Sequence, residues 1–365
     1  MMTKDMSRSK NYCTVLIIFL FIMLPAIASS RTFDTVVGFG DSLTDHGGLQ
    51  SYLGVYDPVS NPNGALEVWS NGDTWIEYFV AELGATLDNN AIAGAMSLGH
   101  ESATVQSYSD AGVFPQLGLV GQVNTYVSGE PSFAASETLF TIWIGGNDFL
   151  EFGRGEMATN DPYEMIENAM ANISTAINAL YQGGARNFLI INLPVMSATP
   201  SYNTRPEEEI NQVMMLTAIY NHFLKELASS LNASLTDSSI YYYDVFYYME
   251  IVLLANTFAD STTTYMELDA LGNKTGNVNG PAENYFFWDS IHPTTKAHEI
   301  VGKDVAEFIL AADDDDDDST CFISYINKST DLSGTYSLCC ILTIIIVGFA
   351  AVFTNRKVIS SLTRN

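Results

Sequence analysis

Ser42 stands in the stretch FGDSLTD, residues 39–45, directly after an apolar run, TVVG at 35–38, that reads as the end of a buried strand. A hydroxyl on a turn between a strand and a helical segment has its own amide and the positive helix end facing the crevice, a setting that suits an attacking alcohol. One serine is weak ground for chemistry, because serines at such turns more often cap helices. Other candidate groups are scattered: Gly94 in NNAIAGA at 89–95, Asn147 and Asp148 in IGGND at 144–148, and Asp289 and His292 in WDSIHPT at 288–294. Each has a plain explanation when taken alone. Gly94 permits a tight turn, Asn147 and Asp148 satisfy turn amides, and His292 sits in a loop before proline.

Several chemistries are excluded on motif grounds. GFGDSL begins like a dinucleotide turn, but Leu43 stands where the third glycine belongs. There is no Gly-x-Ser-x-Gly elbow at this site, no HExxH, no paired CxxC and no phosphate-binding P-loop, so the sequence implies no metal and no cofactor.

The elements that must position these groups alternate. Strand-like runs at 35–38, 138–144, 187–192 and 241–246 are separated by amphipathic, helix-like segments at 74–83, 162–181, 207–231 and 294–310. Such alternation predicts a parallel sheet covered on both faces, with its ligand crevice outside the carboxyl ends of the strands. Two long polar stretches, 52–73 and 257–285, read as loops.

The four blocks FGDSLTD, NNAIAGA, IGGND and WDSIHPT occur in a familiar order, and the chain resembles the GDSL, or SGNH, family of serine esterases and lipases. It is most similar to the branch of plant GDSL lipases and thermolabile haemolysin-like acyl hydrolases. WSNGDTWIEYFVAELG at 69–84 and INLPVMSATP at 191–200 add to the likeness, which runs from about Thr32 to Leu310. The resemblance implies a flavodoxin-like three-layer α/β/α sandwich, the SGNH hydrolase fold. It also implies Ser42 as nucleophile, His292 as base and Asp289 as the carboxylate that orients it. Ser42, Gly94 and Asn147 would supply the oxyanion donors, and the substrate would be an ester of a lipid or an acylated glycan. Asp41, Thr44, Asp45 and Asp148 read as structural, holding the loops through backbone amides. A non-catalytic surface module that binds glycans or another cell is the competing class, and the intact Ser42, Asp289 and His292 argue against it.

The ends of the chain suggest export. Lys4, Arg8 and Lys10 precede an apolar run closing on Ala26-Ile27-Ala28, which reads as a signal peptide over 1–28. The hydrolase domain is then expected over 29–312, an acidic stalk over 313–334, a transmembrane helix over 335–355 and a cytoplasmic tail over 356–365. That arrangement predicts a single-pass membrane protein with its catalytic domain lumenal or extracellular. Asn172, Asn232, Asn273 and Asn327 are glycosylation sequons on that side. The four cysteines all lie outside the expected domain, so no disulfide staples it. A formal net charge of −27 makes nucleic acid an improbable partner.

Overall fold

The computed structural model describes residues 33–49, 68–97, 117–155, 157 and 159–312. Five strands, β1 (Thr35–Gly40), β2 (Thr86–Asn89), β3 (Thr138–Trp143), β4 (Asn187–Ile191) and β5 (Ser239–Tyr243), form one parallel sheet in the order β2-β1-β3-β4-β5. The three middle strands are apolar on both faces because both faces are covered. Val37, Phe39, Phe140, Ile142, Phe188 and Ile190 pack against helices α2 (Leu119–Ser128), α4 (Pro162–Gln182) and α5 (Glu207–Ser234). Against the other face lie α1 (Trp75–Leu83) and the last described helix, α7 (Thr295–Ala312), with Trp75 edge-on to Trp143 at 5.6 Å.

Local signals explain where helices begin. Glu77 accepts the Thr74 amide at 2.8 Å at the start of α1, and Asp161 accepts the Tyr163 amide at 2.9 Å before the Pro162 that opens α4. Two elements depart from expectation. The strand read through Phe246 stops at Tyr243, because Asp244 accepts the Tyr247 amide at 3.1 Å and caps α6 (Val245–Leu254). The short α3 (Gly146–Arg154) starts at the second residue of the glycine pair that follows β3, with Gly145 as its N-cap.

The stretch read as a polar loop at 257–285 contains strands instead. β6 (Asp260–Thr264) pairs with β9 (Tyr285–Phe287), while β7 (Met266–Leu268) and β8 (Lys274–Val278) make an antiparallel hairpin. The Tyr265 and Met266 amides donate to the Phe287 and Trp288 carbonyls at 2.8 Å, anchoring the hairpin base beside the 288–294 block.

The sheet order puts β2 on one side of β1 and β3 on the other. The chain therefore leaves the carboxyl ends of β1 and β3 in opposite directions, opening a crevice between their following loops. FGDSLTD and IGGND occupy those two loops.

The expectation of a transmembrane helix, and of single-pass membrane placement with it, requires correction. Among the described residues no helix is long and apolar enough to cross a membrane. Helix α5 has the length, at 28 residues, but carries Glu207, Glu208, Glu209, Lys225 and Glu226. Helix α7 buries one face in the fold and presents Lys296 and Lys303 on the other. The apolar run at 335–355 lies outside the described residues, as do the expected signal peptide, stalk, tail and Asn327.

Candidate active site

Beyond β1 the chain turns at once. The Asp41 carbonyl accepts the Thr44 and Asp45 amides at 3.0 and 2.9 Å, and its side chain accepts the Leu43 amide at 3.0 Å. Ser42 sits on the crest of this turn. From below, Gln122 on α2 holds the end of β1 by exchanging hydrogen bonds with both the amide and the carbonyl of Gly40. The Trp75 indole donates to Thr44 Oγ1 at 3.1 Å.

The second component is the loop after β9. The Trp288 amide donates to the His292 carbonyl at 2.8 Å, which folds residues 288–292 into a tight loop. Asp289 Oδ1 accepts the amides of Ile291 and His292 at 3.0 and 2.8 Å. Both carboxylate oxygens lie 2.9 Å from His292 Nδ1, and His292 Nε2 lies 2.8 Å from Ser42 Oγ. The structure thus brings together three residues separated by up to 250 positions, with Ser42, Asp289 and His292 all at most 8% exposed. WSNGD at 69–73 braces this loop. Ser70 Oγ donates to the Pro293 carbonyl at 2.9 Å, Asn71 Oδ1 accepts the Thr295 amide at 3.0 Å, and the Trp69 ring lies 5.4 Å from the imidazole.

The third component is the backbone from 92 to 97, pinned at alternate residues. Asp45 accepts the Ala93 amide at 2.7 Å, Asn147 Nδ2 donates to the Ala95 carbonyl at 2.8 Å, and Asp148 Oδ2 accepts the Ser97 amide at 3.0 Å. Gly94 sits between these pins at φ +80°, a conformation that strains other residues. Among the described residues, neither the Ser42 nor the Gly94 amide donates a hydrogen bond, and Asn147 retains a second Nδ2 hydrogen. Gly145, at φ +117°, leaves room for the Tyr220 hydroxyl, which donates to the Ile144 carbonyl at 3.1 Å just before α3.

Electrostatics separate the acids. Burial pushes the Asp289 carboxyl upward, but the His292 imidazole, Lys274 and the His292 amide overcome it and hold the group well below the usual range. Burial pushes Asp41 up to about 7 despite the Leu43 amide, with Asp148 and Asp45 adding to the rise. It pushes Asp45 up to about 6 against three backbone amides. Asp41, Ser42, Asn147 and His292 border a cleft whose remaining wall is mostly apolar, including Leu150, Val195, Met196, Met249, Leu253 and Phe286, with Thr199 among them. Among the described residues no group of His, Cys, Asp and Glu is arranged to hold a metal ion.

The GDSL-like lipase/acylhydrolase family matches residues 36–305, which covers the sheet and every component of this site. The chain belongs to that family. It is accordingly an enzyme of the carboxylic-ester hydrolase class. It is similar to a thermolabile hemolysin of Vibrio parahaemolyticus, 29% identical over 74% of this chain and 63% of the relative. It is also similar to a phosphatidylcholine-sterol acyltransferase of Aeromonas hydrophila, 25% identical over 82% of this chain and 97% of the relative. An acetylesterase of Thermothelomyces thermophilus is 25% identical over 74% of this chain and 87% of the relative. The match thus spans less than two thirds of the hemolysin's length.

Two features of the site were absent from the sequence reading. Lys274, in the stretch read as a polar loop, lies 3.4 Å from Asp289 Oδ2. His298, which the sequence reading did not single out, is 1% exposed on α7, where burial and then the charge of His292 push its imidazole down to about 3. The apolar face of α7 and the charge pattern of the hairpin carried those signals only weakly.

Proposed function

We propose that this GDSL-family hydrolase cleaves carboxylic esters through an acyl-enzyme on Ser42. The observation that carries the reading is the continuous chain Ser42 Oγ, His292 Nε2, His292 Nδ1 and Asp289, with links of 2.8 and 2.9 Å. His292 Nε2 takes the Ser42 proton as Oγ attacks the ester carbonyl, and a tetrahedral oxyanion forms. The Ser42 and Gly94 amides and the second Nδ2 hydrogen of Asn147 are the donors for that oxyanion. The imidazolium, paired with the Asp289 carboxylate, then protonates the leaving alcohol. Water repeats the sequence on the acyl-enzyme, delivering the acid and restoring Ser42. Asp289 stays ionised throughout, in keeping with its depressed carboxyl.

A fluorophosphonate probe tests the nucleophile. Wild type should label, Ser42→Ala should not, and turnover should fall by about 10⁶-fold. Equal labelling of the two proteins would end the proposal.

The lining of the cleft favours an acyl chain of several carbons over an acetylated glycan. Leu150, Val195, Met196, Met249, Leu253 and Phe286 offer apolar surface where a sugar would need hydrogen-bonding groups. On p-nitrophenyl esters, octanoate should exceed acetate in kcat/KM by about 10-fold or more. Met249→Trp should reduce the octanoate rate while sparing acetate. A preference for acetate that Met249→Trp leaves unchanged would point to acetylated glycans.

The hydrolase domain over 29–312 is further proposed to be exported behind a signal peptide and glycosylated. Asn232 and Asn273 are exposed and Asn172 is half-buried, which leaves the first two accessible for modification. A mobility shift on glycosidase treatment of the exported protein would support this, and a protein retained with residues 1–28 intact would oppose it.

A further inference from the structure

Lys274 is out of place for a residue that opens the second strand of a surface hairpin. Its side chain is only 12% exposed. The ammonium lies 4.0 Å from the Trp288 ring centroid and 4.9 Å from that of Trp69, the two indoles that flank His292 at 6.1 and 5.4 Å. It also reaches Asp289 Oδ2 at 3.4 Å. The two carboxylate oxygens are used differently. Oδ1 receives the Ile291 and His292 amides as well as Nδ1, whereas Oδ2 is shared between Nδ1 and the Lys274 ammonium.

We propose that Lys274 is a positioning residue of the hydrolytic centre, fixing the Asp289 carboxylate from the β7–β8 hairpin and moderating the basicity of His292. The indoles hold the ammonium through their ring faces, so a cation is maintained in a largely buried setting without being spent on water. With the imidazole neutral, Lys274 balances Asp289. Once His292 takes the serine proton, the ammonium and the imidazolium draw on the same oxygen. The base is thereby kept from binding its proton too tightly and returns it readily to the leaving alcohol. The hairpin also gains a role, since Asp269 accepts the Leu271 and Asn273 amides at 2.8 and 2.9 Å and so shapes the turn that delivers Lys274.

The groups that face the imidazole are Asp289 on its own loop, Ser42 from the turn after β1, Lys274 from the hairpin and His298 from α7. Asp41 borders the same cleft. His298 remains neutral across the working range because its burial holds it near 3, which leaves Lys274 as the nearby cation among these groups.

The test is the pH profile of kcat/KM for Lys274→Met, which keeps the apolar stem and removes the charge. Loss of a neighbouring cation favours the imidazolium, so the acid limb should move upward by about half a unit to one unit. At the alkaline plateau kcat should fall by about 10-fold with KM within about 2-fold, because orientation rather than substrate binding is impaired. Lys274→Arg should retain the wild-type limb. A Lys274→Met profile that superposes on wild type after scaling would overturn the proposal, whatever happens to Tm. Should Lys274→Met not fold, Lys274→Gln is read by the same profile, and failure of both to fold would assign Lys274 to stability alone. The inference rests on His292 acting as base. If Ser42→Ala and His292→Ala keep their turnover, that reading fails first; an unmoved limb in a protein that needs both residues sinks only the role of Lys274.

Discussion

Two sets of buried carboxylates lie within the same site, and the chain uses them in opposite ways. Beneath the serine turn, Asp41, Asp45 and Asp148 accept hydrogen bonds from amides and from the Ser97 hydroxyl, and burial raises the first two. Beside them, Asp289 is equally buried yet held ionised, because an imidazole and an ammonium share its oxygens. Burial alone therefore does not decide whether an acid is charged; the charge of its partners does. The first set is a frame that fixes where the 92–97 backbone runs. In the proposed mechanism Asp289 belongs to the part that moves protons.

The largest expected effect tests that division on the proton-moving side. Asp289→Asn keeps an oxygen for the Ile291 and His292 amides but stops supporting the imidazolium, so kcat should fall by about 10⁴-fold with the circular dichroism spectrum unchanged. A loss below tenfold would remove the distinction between the two sets. Next comes Asn147→Ala, which deletes the amide pinned to the Ala95 carbonyl; steady-state kinetics should show kcat lower by about 10²–10³-fold with KM little altered.

Smaller effects are expected from the frame. Asp45→Ala strands the amides of Gly48, Leu49 and Ala93, and urea titration should show a loss of about 1–3 kcal/mol in stability. Its kcat should drop less than that of Asn147→Ala, since the Gly94 amide shifts but is not removed. The effect furthest from turnover concerns Asp41. Its carboxyl is raised from 3.8 to about 7 in the fold, so folding favours the protonated form. That contribution is full below the unfolded value and is lost as pH rises toward 7. Asp41→Asn cannot ionise, and its Tm relative to wild type should therefore be more favourable at pH 8 than at pH 4. A difference in Tm that does not vary with pH would place a cation near Asp41 and blur the comparison.

Much of the site was legible because its signals are local. A strand ending in a serine turn, a glycine pair before Asn147 and a three-residue spacing between Asp289 and His292 each stand in a few consecutive letters. What failed were signals that depend on tertiary partners. YYYDVF at 241–246 reads as one strand until Asp244 is seen capping α6, because short aromatic runs suit either structure. The Gly, Asn and Thr content of 257–285 suggests a loop, and only the pairing of β6 with β9 and β7 with β8 reveals strands. Lys274 was hidden for the same reason: its partners, Asp289, Trp288 and Trp69, are distant in sequence or meaningful only once the hairpin folds beside them.

In the proposed reaction one alcohol, one imidazole and three N–H donors converge on a single ester carbonyl group. A crystal structure of the protein inactivated by an alkyl phosphonate tests it most directly. The account predicts phosphorus bonded to Ser42 Oγ, with the phosphonyl oxygen within about 3 Å of the Ser42 amide, the Gly94 amide and Asn147 Nδ2. A phosphonate attached to another residue, or one whose oxygen points away from all three donors, would contradict it.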